Sequence, residues 1–207
     1  MTSDVVGVIL AGGRATRMGG VDKALLHIDG RTLLEHLLDR LRPQCGELVL
    51  NANGEPARFS GFGLPVIADS VDDFPGPLAG ILAGMEWGTS RRAAWMVTVA
   101  ADTPFVPRDL VSRLAEAVDG RDARIALAAS RDDSRTLHVH PTIGLWSTAL
   151  AADLRGSLHA GMRKVRVWAE RHEVVTVEFE ATPFDPFFNV NTPDDLVHAA
   201  DLARRLT

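Results

Sequence analysis

Val5-Val6-Gly7-Val8-Ile9-Leu10-Ala11-Gly12-Gly13-Arg14-Ala15-Thr16-Arg17-Met18-Gly19-Gly20-Val21-Asp22-Lys23 is the stretch on which the fold reading turns. Its first six residues form a short apolar, β-branched run that stops at glycine, which reads as a buried strand feeding a loop. Glycines let a backbone approach a ligand closely and turn its N–H groups toward phosphate oxygens. Arg14, Arg17 and Lys23 bring three cations into the same segment, enough to offset a triphosphate locally. Neither generic phosphate motif fits: no Gly-x-Gly-x-x-Gly opens a helix, and Lys23 is not followed by Ser or Thr. A flexible surface loop with solvated cations is the plain alternative. The position directly after a first strand favours ligand binding.

Outward from this stretch, strands and helices alternate. Leu33, Leu34, Leu37, Leu38 and Leu41 recur at helical spacing within Thr32–Leu41, and Pro43 ends that helix. Glu47–Asn51 and Leu64–Ala68 read as strands, Pro77–Gly88 as a helix opened by proline, and Ala94–Ala100 as a central strand. Val106–Val118 reads as a helix and Ile125–Ala129 as a strand. His140–Trp146 then reads as a strand, Ser147–Leu158 as a helix and Val174–Phe179 as a strand. A last helix follows Asn191 or Thr192 as cap, with Pro193 at its first position and Asp194 and Asp195 in its positive first turn. Such alternation implies an α/β domain spanning residues 1–207, a three-layer, mostly parallel twisted sheet with helices on both faces. In these sheets ligands bind at the carboxyl ends of the strands. The glycine loop, Asn51, Asp69 and Asp102 all fall at such ends, so residues far apart in sequence are expected on one rim.

Composition narrows the function classes. The 207 residues are 46% hydrophobic and 24% charged, in the range of globular domains. With 22 basic and 27 acidic residues, the net charge of −5 sets up no field that attracts nucleic acid or an anionic membrane. Neither partner is expected. Cys45 is the sole cysteine, which excludes an intrachain disulfide and a cysteine-built zinc site and suits a reducing compartment. Met1 to Asp4 lead straight into the first strand without signal-peptide features, and no apolar run approaches membrane-spanning length. A cytoplasmic protein is expected.

Single residues carry two readings each. Asp102 places a carboxylate at the tip of a buried strand, suited to a hard cation such as Mg²⁺ together with substrate phosphates; the alternative is a turn cap before Pro104. Asn51, with donors and acceptors, fits a base edge or ribose hydroxyl, and Asp69 a ribose or base; making local turns is the alternative for both. Pro75-Gly76-Pro77-Leu78-Ala79-Gly80 offers a rigid turn and a helix N-terminus. His138 and His140 share one side of a strand and read as surface or packing histidines, since no third metal ligand stands at suitable spacing. Arg163, Lys164 and Arg166 read as a solvated helix face, with a contact to an anionic substrate as the sharper alternative, and Trp87, Trp95, Trp146 and Trp168 as core or near-core.

Taken together, these blocks resemble the molybdenum cofactor guanylyltransferases, within the wider group of nucleotide-diphospho-sugar-type transferases. The resemblance rests on Leu-Ala-Gly-Gly at 10–13 with Arg-Met-Gly-Gly-Val-Asp-Lys at 17–23, and on Asn51-Ala52-Asn53. It continues through Asp69-Ser70 with the Pro-Gly-Pro-Leu-Ala-Gly block, Asp102-Thr103-Pro104, His140-Pro141-Thr142 and Asn189-Val190-Asn191-Thr192-Pro193. Each block is weak alone; in family order over nearly the whole chain they are specific. The resemblance implies a Rossmann-like fold and transfer of GMP from GTP to molybdenum-bound molybdopterin. It implies that Leu10, Ala11 and Gly12, extending into Gly13, hold GTP through the main chain and that Lys23 contacts its phosphates. Asn51 and Asp69 would bind the nucleoside, and Asp102 both GTP and Mg²⁺. Catalysis would rest on Arg17, Lys23 and Asp102. Transient contact with cofactor-delivering or molybdoenzyme-maturation proteins is a further expectation. Three rivals stay open: a CTP-using relative acting on the same pterin, a sugar-1-phosphate nucleotidyltransferase, and a non-catalytic GTP-binding regulator. Leu-Ala-Gly-Gly followed by Arg-Met-Gly-Gly favours guanine over cytosine.

Overall fold

The computed structural model describes residues 4–12, 22–71, 76–132 and 134–206. Val5 to Leu10 form the central strand β1, in which alternate side chains enter opposite layers: Val5 and Ile9 on one side, Val6 and Val8 on the other. Along the chain follow β2 (His27–Ile28), β3 (Arg31–Thr32), α1 (Leu33–Leu41), β4 (Glu47–Asn51), β5 (Val66–Ile67), α2 (Pro77–Ser90) and β6 (Trp95–Ala100). Then come α3 (Leu110–Val118), β7 (Ile125–Arg131), β8 (Leu137–Ser147), α4 (Ala151–His159), α5 (Val165–Ala169), β9 (Val174–Phe179) and α6 (Pro193–Leu206). Seven strands make one sheet in the order β5-β4-β1-β6-β8-β7-β9, and β2 with β3 form a separate hairpin. β8 runs antiparallel to β6 and β7; the other pairs are parallel. The α/β architecture is therefore the mostly parallel one expected.

Two apolar layers sandwich the sheet. Leu34, Leu37 and Leu41 of α1 with Leu110, Val111 and Leu114 of α3 cover Ile9, Leu50 and Val99. On the other face, Leu78, Ile81, Leu82 and Met85 of α2 and Leu154 and Leu158 of α4 cover Val8, Val49, Met96 and Trp146. α1 starts with a capping box: Thr32 Oγ1 accepts from Glu35 N–H at 3.1 Å, and Glu35 Oε2 accepts from Thr32 N–H at 2.7 Å. α2 sits close to the sheet because its inner line is glycine at every fourth residue. A Cβ on Gly80 would lie 2.3 Å from Asn51 Oδ1, and one on Gly84 2.9 Å from Val8 Cγ2. A third, smaller cluster joins α6 (Ala199, Leu202, Ala203) to Ile28, Leu33, Phe105 and Val190.

Several boundaries differ from the sequence reading, each for a local reason. α3 starts at Leu110 rather than Val106, because Pro107 disfavours helical backbone at the residue before it. The strand expected over Leu64–Ala68 shortens to Val66–Ile67, at the edge of the sheet with Pro65 in front of it. Ser147 ends β8 instead of opening a helix, and a 3-10 turn (Thr148–Leu150) precedes α4. Trp146 and Trp168 are fully buried and stack at 6.1 Å between ring centroids, whereas Trp87 and Trp95 are half-buried. The last helix takes Thr192 as its cap: Thr192 Oγ1 accepts from Asp195 N–H at 3.1 Å, and Asp195 Oδ2 accepts from the N–H groups of Asn191 and Thr192.

Where the parallel half meets β8, Thr98 is completely buried. Its hydroxyl donates to the Thr142 carbonyl at 2.9 Å and accepts from Trp146 Nε1 at 2.7 Å. A Thr98→Val variant keeps the shape and strands both partners, so we expect a loss of about 1–3 kcal/mol. Urea denaturation would check this; an unchanged midpoint would show that the pair carries no net stability.

Candidate active site

The chain runs from β1 outward to β4 and β5 on one side and then returns to β6 on the other. The strand ends on either side of β1 therefore border a crevice, the usual ligand position in open α/β sheets. Leu10 is the hub of this rim: it pairs in register with Asn51 of β4 and with Ala100 of β6. Neighbouring strands lie ~4.8 Å apart, so the two flanks are ~10 Å apart, about the span from a nucleoside to its outer phosphates. The ladder continues one step further, with Ala101 N–H donating to the Leu10 carbonyl at 3.0 Å and Ala11 N–H to the Asn51 carbonyl at 2.8 Å. Of Leu10, Ala11 and Gly12, the sheet thus uses the Leu10 carbonyl and the Ala11 N–H. The main chain offered to a ligand begins at the Ala11 carbonyl and the exposed Gly12.

On the β6 side, Lys23 Nζ lies 3.3 Å from Asp102 Oδ2 and donates to Asn191 Oδ1 at 2.5 Å. These residues stand 79 and 168 positions from Lys23 in the chain. Both side chains of the ion pair are about one-fifth exposed, at 20% and 22%, so the pair is neither sealed in the core nor freely solvated. Two further bonds pin the segment carrying Asn191 to the exit of β6. Val190 N–H donates to the Asp102 carbonyl at 2.9 Å, and Thr103 Oγ1 donates to Asn189 Oδ1 at 2.5 Å. Because Thr192 and Asp195 cap α6 between themselves, the Asn191 side chain is left for Lys23.

On the β4 side, Asp69 is held in a net of amides. Asn51 Nδ2 donates to Asp69 Oδ1 at 3.0 Å and Asn53 Nδ2 to Asp69 Oδ2 at 2.8 Å, while Asp69 N–H donates to Asn53 Oδ1 at 2.9 Å. Asn51 is only 3% exposed and pressed against Gly80, so it stands behind Asp69 and orients it. Asp69 itself is half-buried, with one carboxylate oxygen held by each amide.

Sequence reasoning brought Lys23, Asp102, Leu10, Ala11, Gly12, Asn51 and Asp69 to one rim, and the structure places all seven there. Gly13 and Arg17 lie outside the described residues, as do Arg14 and Pro75. Asn191, Asn53, Asp22 and Arg58 were not singled out as site residues. Asn191, Asn53 and Asp22 stood inside quoted motif blocks, which was the available signal; Arg58 stood in none. Among the described residues no three His, Cys, Asp or Glu side chains gather as a metal cage. Asp102 alone suits a cation that takes its remaining oxygens from substrate phosphates and water. Cys45 offers no nucleophile, since burial pushes its thiol up to about 12.

Residues 7–175 match the model of the MobA-like NTP transferase domain. The chain belongs to that family. A relative from Rhodopseudomonas palustris named molybdenum cofactor guanylyltransferase is 54% identical, the match covering 96% of this chain and 93% of the relative. A Bradyrhizobium protein of the same name is 53% identical over 98% and 94%. Among solved structures, molybdopterin-guanine dinucleotide biosynthesis protein A from Archaeoglobus fulgidus superposes with a TM-score of 0.72 at 25% identity, covering 97% of this chain and all of that one. Within this MobA-like transferase, the 189–191 segment that reaches Lys23 and Asp102 comes from beyond the matched domain.

Close to that segment lies His140, whose Nε2 is 2.8 Å from Ser130 Oγ and whose ring packs on Phe187 at 4.7 Å. His138, two residues away, is exposed and bonds Asp132 instead. Burial pushes the His140 pKa down from 6.5, with His138 acting in the same direction and Asp185 against it. Below that ordinary value the unfolded chain takes up a proton here sooner than the folded one. Stability is therefore full above pH 6.5 and falls as the solution is acidified through it. A His140→Gln variant keeps an acceptor for Ser130 and should lose less stability between about pH 7.5 and 5.5 than the parent. Equal losses in both, read as urea midpoints, would refute this.

Proposed function

We propose that the chain transfers GMP from GTP to molybdenum-bound molybdopterin, releasing pyrophosphate and giving the guanine dinucleotide form of the cofactor. The observation that carries the reading is the meeting of Lys23, Asp102 and Asn191 at the end of β6, on the same rim as Asp69 beyond β5, in a chain whose curated relatives bear the name of this activity. The nucleoside would lie toward Asp69, with Asn51 and Asn53 holding that carboxylate, and the phosphates toward Lys23. The main chain from Ala11 through Gly12 and Gly13 would line the path between them.

The reaction asks little covalent chemistry of the protein. An oxygen of the acceptor's terminal phosphate, ionised at neutral pH, forms a bond to the α-phosphorus of GTP. The bond from that phosphorus to the α–β bridging oxygen breaks, and its electrons leave with pyrophosphate. No general base or covalent nucleophile is needed, so the rate rests on alignment and charge. Lys23, joined by Arg17, would hold the phosphates and balance the leaving group. Asp102 would hold a divalent cation, Mg²⁺ in the cytoplasm where we place the enzyme, shared with the nucleotide. Such a cation, when bound, neutralises phosphate charge and polarises the phosphoryl group. Lys23 and Asp102 stand 3.3 Å apart as an ion pair. A nucleotide arriving with its cation would replace both partners at once: phosphates for Lys23, the cation for Asp102.

This exchange sets the expected results. Asp102→Asn and Lys23→Ala should each lower guanylyl transfer by roughly 10²–10³-fold. Chelation with EDTA should abolish it, and Mg²⁺ should bind tightly only when GTP is present. Near-normal transfer by either variant would remove the mechanism. Pyrophosphate release measured with GTP and CTP in parallel tests the base: faster release with CTP would favour the cytidylyl reading, and GTP binding without turnover the regulator.

A further inference from the structure

Arg58 lies in a 3-10 turn (Pro56–Phe62) that follows β4, outside the motif blocks quoted from the sequence. Its guanidinium joins the two halves of the site. Nε donates to Asp22 Oδ2 at 2.9 Å, Nη2 to the Asn53 carbonyl at 2.7 Å, and Nη1 to the Glu55 carbonyl at 2.5 Å. The group also lies 4.6 Å from the centre of the Phe59 ring, and that ring is fully buried. Asp22 uses its other oxygen, Oδ1, to accept from Ala24 N–H at 3.3 Å, capping the short turn whose first residue is Lys23. Asn53 in turn holds Asp69 through both its amide nitrogen and its amide oxygen. A planar fork with several donors at fixed angles suits this three-way task, and an ammonium does not.

We infer that Arg58 is a positioning residue for nucleotide binding, fixing the root of Lys23 against the platform formed by Asn53 and Asp69. The inference rests on the reading above in which Lys23 contacts the GTP phosphates. The side chains of Arg58 and Asp22 are 28% and 18% exposed, and an ion pair of that kind that merely closed a turn would contribute little to anything. What sets this one apart is where its two ends lead. Without it the Lys23 turn keeps its cap but loses its tether to the β4 exit. Lys23 would then sample positions out of reach of a phosphate.

Calorimetric titration of the full chain with GTP and Mg²⁺ tests this in the wild type, Arg58→Ala, Arg58→Lys, Lys23→Ala and the Arg58→Ala/Lys23→Ala pair. Arg58→Ala should weaken GTP about tenfold, the usual size for loss of a charge-assisted contact, with a melting temperature close to the parent's. Arg58→Lys should restore little of that affinity. In the Lys23→Ala background the same Arg58 change should have almost no further effect, because the residue it acts through is gone. A tenfold loss in both backgrounds, or unchanged affinity in Arg58→Ala, overturns the inference. If Arg58→Ala melts too low to titrate, Asp22→Asn reads the same link, since it keeps the cap acceptor and removes the ion pair; unchanged affinity there overturns the inference as well. The two readings fail differently. Normal GTP binding by Lys23→Ala would sink the proposed site itself, whereas impaired Lys23→Ala beside normal Arg58→Ala would sink only the role of Arg58.

Discussion

The parallel pairing of β1 between β4 and β6 is the constraint from which the rest of the site follows. Parallel strands present their carboxyl ends on one edge, so whatever follows each strand is delivered to the same rim. Leu10 pairs with Asn51 and with Ala100, and the residues just beyond them are the ones with chemistry to offer. Burial makes this register stiff. Val8, Ile9, Val49, Leu50, Val97 and Val99 are all completely buried, and a slip of one residue would turn each of them toward the wrong layer. The positions of Asp102 and Asn51 are thus set by hydrophobic packing below them rather than by contacts within the crevice.

The helices finish what the strands begin. α2 approaches closely enough at Gly80 to press on Asn51, and this contact holds the amide that orients Asp69. Any side chain at that position would have to displace Asn51 or lift the helix, so a residue with no functional group fixes the place of that amide. α6 acts at the exit of β6. Its small apolar cluster with Ile28, Leu33 and Phe105 anchors the end of the chain, and Val190, bonded to the Asp102 carbonyl, brings Asn189 and Asn191 against the exit of β6.

Much of this was legible in the sequence, and the reason is periodicity. The strand and helix runs around Val5–Leu10, Leu33–Leu41 and Ala94–Ala100 are long and regular enough to give the layers, and the layers give the rim. The convergence of Lys23 and Asp102 followed from that. What stayed illegible depends on side-chain partners that no local pattern encodes. Asn191 looked like a helix cap, and the choice between it and Thr192 turned on which side chain had another partner available. Arg58 sits in a short 3-10 turn, and its partners Asp22 and Asn53 do not mark it in the sequence. The antiparallel course of β8 was also hidden, since an apolar run carries no sign of direction.

The same geometry would let the proposed GTP transferase, with a net charge of −5, grip a polyanion. A lysine aimed at a phosphate must be held without losing its charge to a permanent partner. Asp102 balances Lys23 at 3.3 Å in a cleft that water still reaches, where the attraction between unit charges is a few kcal/mol rather than the far larger value of a dry interior. Such a pair opens when better partners arrive on both sides. The neutral carbonyl oxygen of Asn191 keeps the ammonium in place without competing for its charge. Replacing that amide by a carboxylate would put a second anion beside Asp102 and bind Lys23 more firmly to the protein than to the nucleotide. An amide at this position therefore holds Lys23 without a second charge, as the proposed exchange of partners would require.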